Sequence, residues 1–527
     1  MSDDSGKSVG EIIGSALSGA VAGFIVPALL AILTGIGIAQ TSKLDDPKNW
    51  PAWLVLLGLY LAYHFGWKAL SSSVAMWLVP AASGKKIGVL IARLEGDKAS
   101  DPLRETVREA IKKDLGDSVE IILSPITLRL DAGRDSDAER HARDKAKKWL
   151  AAKQCDLLLW GRVKGERTLS LRLTPEAGDP TPATSYGLTP DTLELPLKFV
   201  SDVGSAIAAG VVVSVTSADD ANRAQRLPQV RIAAERLQPI IEPLNAAFDA
   251  DTRGTLLFSY AMVRQRIGDL TETKDDLLAA VDAYRATLNE WTRERVPNDW
   301  AMVQNNLANT LRTLAEREDS TPRLQQAIAA LRAAIEEMTP EHDLLHWAGA
   351  HYNLGLALRR LDAREGGTGH IEETITAFRD GLRESSRERV PPLLAAMIRS
   401  YLGDTLQTAA EKRNDPARLD EAVAVYREAL NEWTRDADPE TWAGLQNDLG
   451  TTLVRLAEQE SGTARLEEAI DAFRAALAGF ESAADTDHIE MARENLALAE
   501  QSLADRQRQA KQPGGKAHAP DLTGPPA

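Results

Sequence analysis

The sequence predicts an α-solenoid of stacked helical hairpins, joined to a small α/β domain and an N-terminal two-helix transmembrane hairpin. Three observations carry that reading. A helical phrase returns at a nearly fixed period after residue 250, a strand–helix alternation occupies residues 85–218, and two long apolar stretches precede residue 80.

At 527 residues the chain is too long for a single core, and 44% hydrophobic with 26% charged residues argues against wholesale disorder. The net charge of −16, with no run of Lys or Arg, gives a nucleic acid nothing to hold. Cys155 is the one cysteine, so neither an internal disulfide nor a thiolate metal cluster can form. It opens the apolar run of "KQCDLLLWG", where a buried small residue is expected rather than a reactive thiol. A reducing compartment fits this usage.

After a short tail (1–10), residues 11–82 read as a membrane hairpin with spans at about 12–39 and 53–78. Ile12 to Ala39 carries no charge, and at about 1.5 Å per residue it exceeds the roughly 30 Å hydrocarbon layer. The start "MSDDSGK" lacks the basic opening of a signal peptide, which favours a retained helix. The second span has Trp and Tyr at its ends and one intruder, Lys68, a helical turn after His64. Lys68 either snorkels to an interface or, with His64, faces a partner helix or an ion path. Gly14, Ser18 and Ala22 form a small-residue stripe that allows close helix packing, within the hairpin or between copies as a homo-oligomer. The short loop puts both chain ends on one side of the membrane. Lys7, Lys85, Lys86 and Arg93 lie there, against Lys43 and Lys48 in the loop, so the bulk of the chain is expected in the cytoplasm.

Residues 85–218 change period. "KKIGVLIARL" reads as a buried strand, "DPLRETVREAIKKDLG" as a helix stopped by Gly116, and "SVEIILSPITLRL" as a second strand. "SDAERHARDKAKKWLAAKQ" is a second helix, "CDLLLWGRVKG" a third strand and "RTLSLRLTP" a fourth, turned back through "KGER". The order β-α-β-α-β-β predicts a small sheet with helices packed on it. "FVSDVGSAIAAGVVVSVTSA" is too short after Asp202 to cross a bilayer, and a helix buried against the sheet is expected. No phosphate-binding glycine motif follows the first strand, and no nucleophile stands beside a base. His141 stands alone among charged residues on its helix. In pattern and order this domain resembles the α/β module that opens TolB-type periplasmic proteins and precedes some bacterial repeat arrays; that resemblance implies binding or docking.

Residues 219–505 hold the array. Five versions of one helix align: "AVDAYRATL", "AIAALRAAI", "TITAFRDGL", "AVAVYREAL" and "AIDAFRAAL". Their arginines, Arg285, Arg332, Arg379, Arg427 and Arg474, are spaced by 47, 47, 48 and 47 residues. Each helix runs small, large apolar, small along one face. Ala280, Tyr284 and Thr287 open the series and Ala469, Phe473 and Ala476 close it, a knob between two clearances that lets hairpins stack. The preceding helix of each unit carries "NLA", "NLG", "YLG" or "DLG", at Asn306, Asn353, Tyr401 and Asp448.

The Leu-Gly pair of the first helix and the Ala…aromatic…Ala of the second resemble the tetratricopeptide (TPR) repeat family over roughly residues 250–505, in a long form of about 47 residues. That resemblance implies a groove lined by the first helices, in which a protein or peptide partner binds. Carried over by position, the groove residues are Asn305, Asn309, Arg312, Tyr352, Arg359, Asp404 and Asn447. Trp300, Trp347 and Trp442 open their helices and are expected to staple adjacent hairpins. The Pro/Gly-rich stretch 506–527 reads as a disordered tail.

Every region is then accounted for by a membrane-anchored scaffold without catalytic residues, metal or cofactor. It would recruit a protein or peptide to the cytoplasmic face of a bacterial inner membrane and touch lipid through its hairpin. The alternative is a two-helix membrane effector, forming a pore under control of a sensing solenoid.

Overall fold

The computed structural model describes residues 79–511, apart from 84–85, 99, 129–135, 166–167, 176–191, 198–203, 219–225, 243–247, 342–343, 368, 384–389, 391, 414 and 437. Both expected spans, the Gly14–Ser18–Ala22 stripe and the His64–Lys68 pair lie outside the described residues. No helix among the described residues is long and apolar enough to cross a membrane.

The α/β domain forms because its strands alternate with helices short enough to return on the same sheet. Its elements are β1 (Ile87–Arg93), α1 (Pro102–Leu115), β2 (Val119–Thr127), α2 (Ser136–Lys153), β3 (Leu157–Lys164), β4 (Thr168–Pro175) and β5 (Thr192–Pro196). The sheet order is β2-β1-β3-β4-β5, with β1 parallel to both neighbours and β3, β4 and β5 antiparallel. The β-α-β-α-β-β order is present, and β5 is an addition that the sequence reading lacks. Only five residues long and closed by Pro196, β5 is an edge strand with little pattern of its own.

The stretch after Asp202 becomes α3 (Gly204–Ala218), whose Ile207, Val211 and Val212 are fully buried. Helix α3 packs on α1 and β4 on one side, and on α4 (Leu227–Ile241) and α5 (Ala250–Thr271) on the other. Sheet and array therefore share one hydrophobic core, and from Pro80 onward the described residues belong to one compact unit.

The array pairs α5 with α6 (Lys274–Glu290), α7 (Pro297–Glu318) with α8 (Thr321–Glu337), and α9 (Leu344–Glu365) with α10 (Ile371–Gly381). Then come α11 (Pro392–Arg413) with α12 (Pro416–Glu432), α13 (Pro439–Glu458) with α14 (Ala464–Ala483), and a last helix, α15 (Thr486–Lys511). Proline at the first turn of α7, α8, α12 and α13 costs no hydrogen bond there, and the Asp438 carboxylate caps α13 by accepting from the Thr441 N–H at 3.1 Å. The large residues Tyr284, Leu331, Phe378, Tyr426 and Phe473 are all 2% exposed or less, as knobs should be.

Each aromatic knob of the last three hairpins seats on a first-helix glycine. A Cβ at Gly403 would lie 2.5 Å from the Tyr426 ring and one at Gly450 2.7 Å from Phe473, with Gly355 against Phe378 closer still. Gly403→Ala is expected to lower the melting temperature. Overpacking costs about 1–3 kcal/mol and the helix preference for Ala returns about 1 kcal/mol. Tyr426 cannot swing aside cheaply, because its hydroxyl is tied to Asp404 at 2.7 Å. An unchanged melt would show that the ring does yield.

Arginines align neighbouring hairpins. On the second helices Arg332 pairs with Glu373 at 2.7 Å, Arg379 with Glu421 at 2.5 Å, Arg427 with Glu468, and Arg474 with Glu500 of α15 at 2.8 Å. Exposed pairs of this kind contribute little energy but fix register. On the first helices Arg317 donates to the Gly268 carbonyl at 3.1 Å and Arg364 to that of Ala315 at 2.8 Å, each near the C-terminal end of the preceding first helix. Arg506 does the same to Ala457, and to Gly462 at 2.7 Å. That anchor sits where the sequence reading begins the tail, and α15 runs on to Lys511. Trp347 and Trp442 touch the second helix of their own hairpin, while Arg293 and Arg435, from the linkers that precede the hairpins, lie 5.4 Å and 5.9 Å from the Trp300 and Trp442 ring centres. Trp347 Nε1 donates to the Asp380 carbonyl of α10 at 3.2 Å, and Trp442 lies against Gly479 of α14.

Candidate functional site

First helices pack side by side, α7 on α9, α9 on α11, α11 on α13 and α13 on α15. The residues expected to line a groove sit on these seams, and most of them are buried. Asn305, Asn309 and Arg312 on α7 are 0%, 1% and 9% exposed, Tyr352 on α9 is 1% and Asn447 on α13 is 6%. Arg359 and Asp404 keep about a third of their side-chain surface.

Two asparagine rungs cross the seams. Asn353 Nδ2 donates to Asn305 Oδ1 at 2.9 Å, and Asn495 Nδ2 donates to Asn447 Oδ1 at 2.8 Å. A buried amide needs such partners, because leaving one unmade costs about 1–3 kcal/mol. Arg312 turns along its own helix to Glu316 at 2.7 Å.

Between the rungs the structure brings Tyr352, Arg359 and Asp404 together. Both Arg359 Nη atoms donate to Asp404 Oδ2 at 3.3 Å, and its guanidinium lies 5.0 Å from the Tyr401 ring centre. Asp404 Oδ1 accepts from the Tyr426 hydroxyl at 2.7 Å. The Tyr352 and Tyr401 rings are 5.7 Å apart. Burial holds the Tyr352 and Tyr426 phenols well above the usual range.

Asp448 completes the cluster from α13. Burial first, and then the charge of Asp404, push its carboxyl up to about 7, while a hydrogen bond with Asn447 pulls the other way. Two carboxyl groups thus lie near one another, and Arg359 pairs with Asp404. Tyr401, Tyr426 and Asp448 were not among the expected site residues. The signal for two of them was present: Tyr401 and Asp448 stand where the other first helices carry Asn306 and Asn353.

Among the described residues, no group of three His, Cys, Asp or Glu side chains is placed to hold a metal ion. Cys155 is buried, with its thiol 3.6 Å from the Lys153 carbonyl oxygen.

No family model matches the chain, and no curated protein does. Several solved structures align with it, two of them as follows. The apo form of the quorum sensor NprR from B. thuringiensis is 13% identical over 58% of this chain and 85% of its own, with a TM-score of 0.30. A Rap protein complexed with competence and sporulation factor is 12% identical over 58% of this chain and 82% of its own, with a TM-score of 0.27. The repeat architecture accordingly rests on this chain's own hairpins.

Proposed function

We propose that the helical array recruits a protein or peptide partner through the face formed by its first helices. The observation that supports this is the cluster of Arg359, Asp404, Asp448 and three tyrosines, drawn from α9, α11, α12 and α13. Stacking hairpins needs apolar knobs and small clearances; it does not need ionisable groups held in a partly desolvated seam, where each is costly. Asn305, Asn309, Arg312 and Asn447 flank the cluster and, being buried in the seams, would support the proposed surface from beneath. The finer reading includes anchorage by the N-terminal hairpin at a bacterial inner membrane, with the array on the cytoplasmic side, and rests on the two apolar stretches of the sequence.

The test is capture from native membranes by the intact chain and by a variant carrying Asn305→Ala, Arg312→Ala and Arg359→Ala. Since two of these residues are buried, Arg359→Gln alone is run beside it, and both variants are melted. A partner held by the intact chain and lost by a variant that still melts cooperatively supports the reading. Capture that survives both changes removes these residues from the site. No partner in any sample, with leakage of dye from vesicles on adding the full chain, would instead favour the pore-forming alternative.

A further inference from the structure

One seam of the array departs from its neighbours. Toward the end of each first helix comes a position that is acidic in five of six cases: Asp269, Glu316, Glu411, Glu458 and Asp505. In α9 the same position is Ala363. In the two flanking seams this acid reaches an arginine on the next first helix, Glu316 to Arg360 at 3.2 Å and Glu411 to Arg455. At the α9–α11 seam the arginine position is Thr408. Both halves of the repeating ion pair are therefore replaced by small residues at one place.

The replacement leaves a cleft of about 170 Å³, lined by Ala363 and Thr408 among others. Ile371 supplies an apolar wall. Three charged side chains also border it, Arg359, Asp362 and Lys412. Asp362 is engaged, accepting from the His370 N–H at 3.0 Å, and it is 8% exposed. Arg359 is held by one long ion pair at 3.3 Å. Lys412 bonds the Gly367 carbonyl at 3.0 Å and has no carboxylate within ion-pair distance among the described residues. The cleft thus offers one cation without a carboxylate partner, Lys412, a second held only by the long pair to Asp404, an aliphatic wall and room for about one side chain, at the one seam where the repeated acid is missing.

We propose that this cleft takes a carboxylate on a short aliphatic stem from the partner, which occupies the place that Glu316 and Glu411 hold in the flanking seams. The proposal deepens the partner-binding reading and rests on it for the source of the carboxylate. Arg359 and Lys412 would donate to it and Ile371 would cover the stem. A neutral isostere would leave Lys412 without a counter-charge and Arg359 with only its long pair to Asp404, and hydrogen bonds to charged groups are the stronger class.

The experiment is a methyl NMR titration of the full chain, labelled at Ala, Ile and Thr methyl groups. The probes are N-acetyl-glutamate methylamide, its glutamine counterpart and N-acetyl-alanine. Expected are saturable shifts at Ala363, Ile371 and Thr408 with a carboxylate probe, and an affinity for the glutamine probe at least about tenfold weaker. The stronger of the two carboxylate probes tells a side chain from a chain terminus. Ala363→Glu restores the missing acid within the chain, at an exposed position where the neighbouring helices already carry it, and should abolish the response; Lys412→Gln should weaken it. Equal shifts with the glutamine probe, no saturable shift with either carboxylate probe, or an undiminished response in Ala363→Glu would overturn the proposal. The probes need no partner, so failure here is distinct from failure of capture. A partner still captured by Ala363→Glu overturns this inference and leaves the first-helix face standing.

Discussion

Replacing Asp448 with Asn raises the melting temperature of the full chain at pH 8 and leaves it unchanged near pH 4. The folded carboxyl titrates at about 7, against an ordinary value of 3.8, because it is buried beside Asp404. Below the ordinary value it is protonated in both states and contributes nothing. Between the two values the unfolded chain gives up the proton while the folded chain retains it, so stability falls as pH rises and levels off above the folded value. A shift of this size corresponds to about 4 kcal/mol, reduced to the order of 2–3 kcal/mol because Asp448 is partly exposed. For the unit that begins at Pro80, with an unfolding entropy of about 2 cal/mol/K per residue, that is roughly 2–3 °C. Asn keeps the shape and most of the hydrogen bonding but carries no charge toward Asp404. The observable is the difference between variant and parent, which should grow from nothing at pH 4 to its full size at pH 8. An equal difference at both pH values would mean that Asp448 acts through packing alone. Repeat arrays can unfold in pieces, so amide exchange in α13 should move in the same direction.

The charge on Asp448 also shows what a single sequence conceals. The repeat was legible because its signal is local: a small residue, a large one four later and a small one three beyond, five times over. The seating of Phe378, Tyr426 and Phe473 on glycines is likewise contained in one hairpin, since Gly355, Gly403 and Gly450 each precede their knob by 23 residues. Contacts across seams are another matter. They join residues 41 to 49 apart, and a slip of one residue between neighbouring helices changes every partner. Arg312 and Arg359 occupy the same repeat position, yet one turns back to Glu316 and the other crosses to Asp404. Burial was hidden for the same reason. Asn305 and Asn309 read as a polar helix face, and α7 does present them on one face, but neighbouring first helices are packed against it. The α/β domain was legible in order and not in extent. Strong strands such as β1 and β3 announce themselves as apolar runs, whereas β5 gains its place only by pairing with β4.

His351 should supply the opposite pH dependence. It is 5% exposed on α9, its ring lies 4.3 Å from that of Trp347, and neither ring nitrogen has a hydrogen-bond partner. Burial pulls its pKa down to about 4 from 6.5, with the Asp380 charge opposing. The sign follows from which state takes the proton. Above the ordinary value the imidazole is neutral in both states and costs nothing. As pH falls from 6.5 to 4 the unfolded chain protonates first, so stability is lost over that window by about 3 kcal/mol and no further below it. The repeat itself shows a solution the α9–α10 hairpin does not use. The position of His351 is Gln304 in α7, Gln446 in α13 and Arg399 in α11, and Arg399 pairs with Glu428 and Glu432 at 3.0 and 2.6 Å. His351→Gln should therefore fold normally and remove the acid sensitivity. The two buried groups titrate across nearly the same window with opposite slopes, so the parent chain's melting temperature should vary little between pH 4 and pH 7 while its hairpins respond in opposite senses. Asp448→Asn alone should expose a loss of stability toward acid, His351→Gln alone a loss toward alkali, and the double variant neither. If His351→Gln retains the acid slope of Asp448→Asn, the imidazole is not the group responsible, and the remaining carboxylates along the first-helix seams become the place to look.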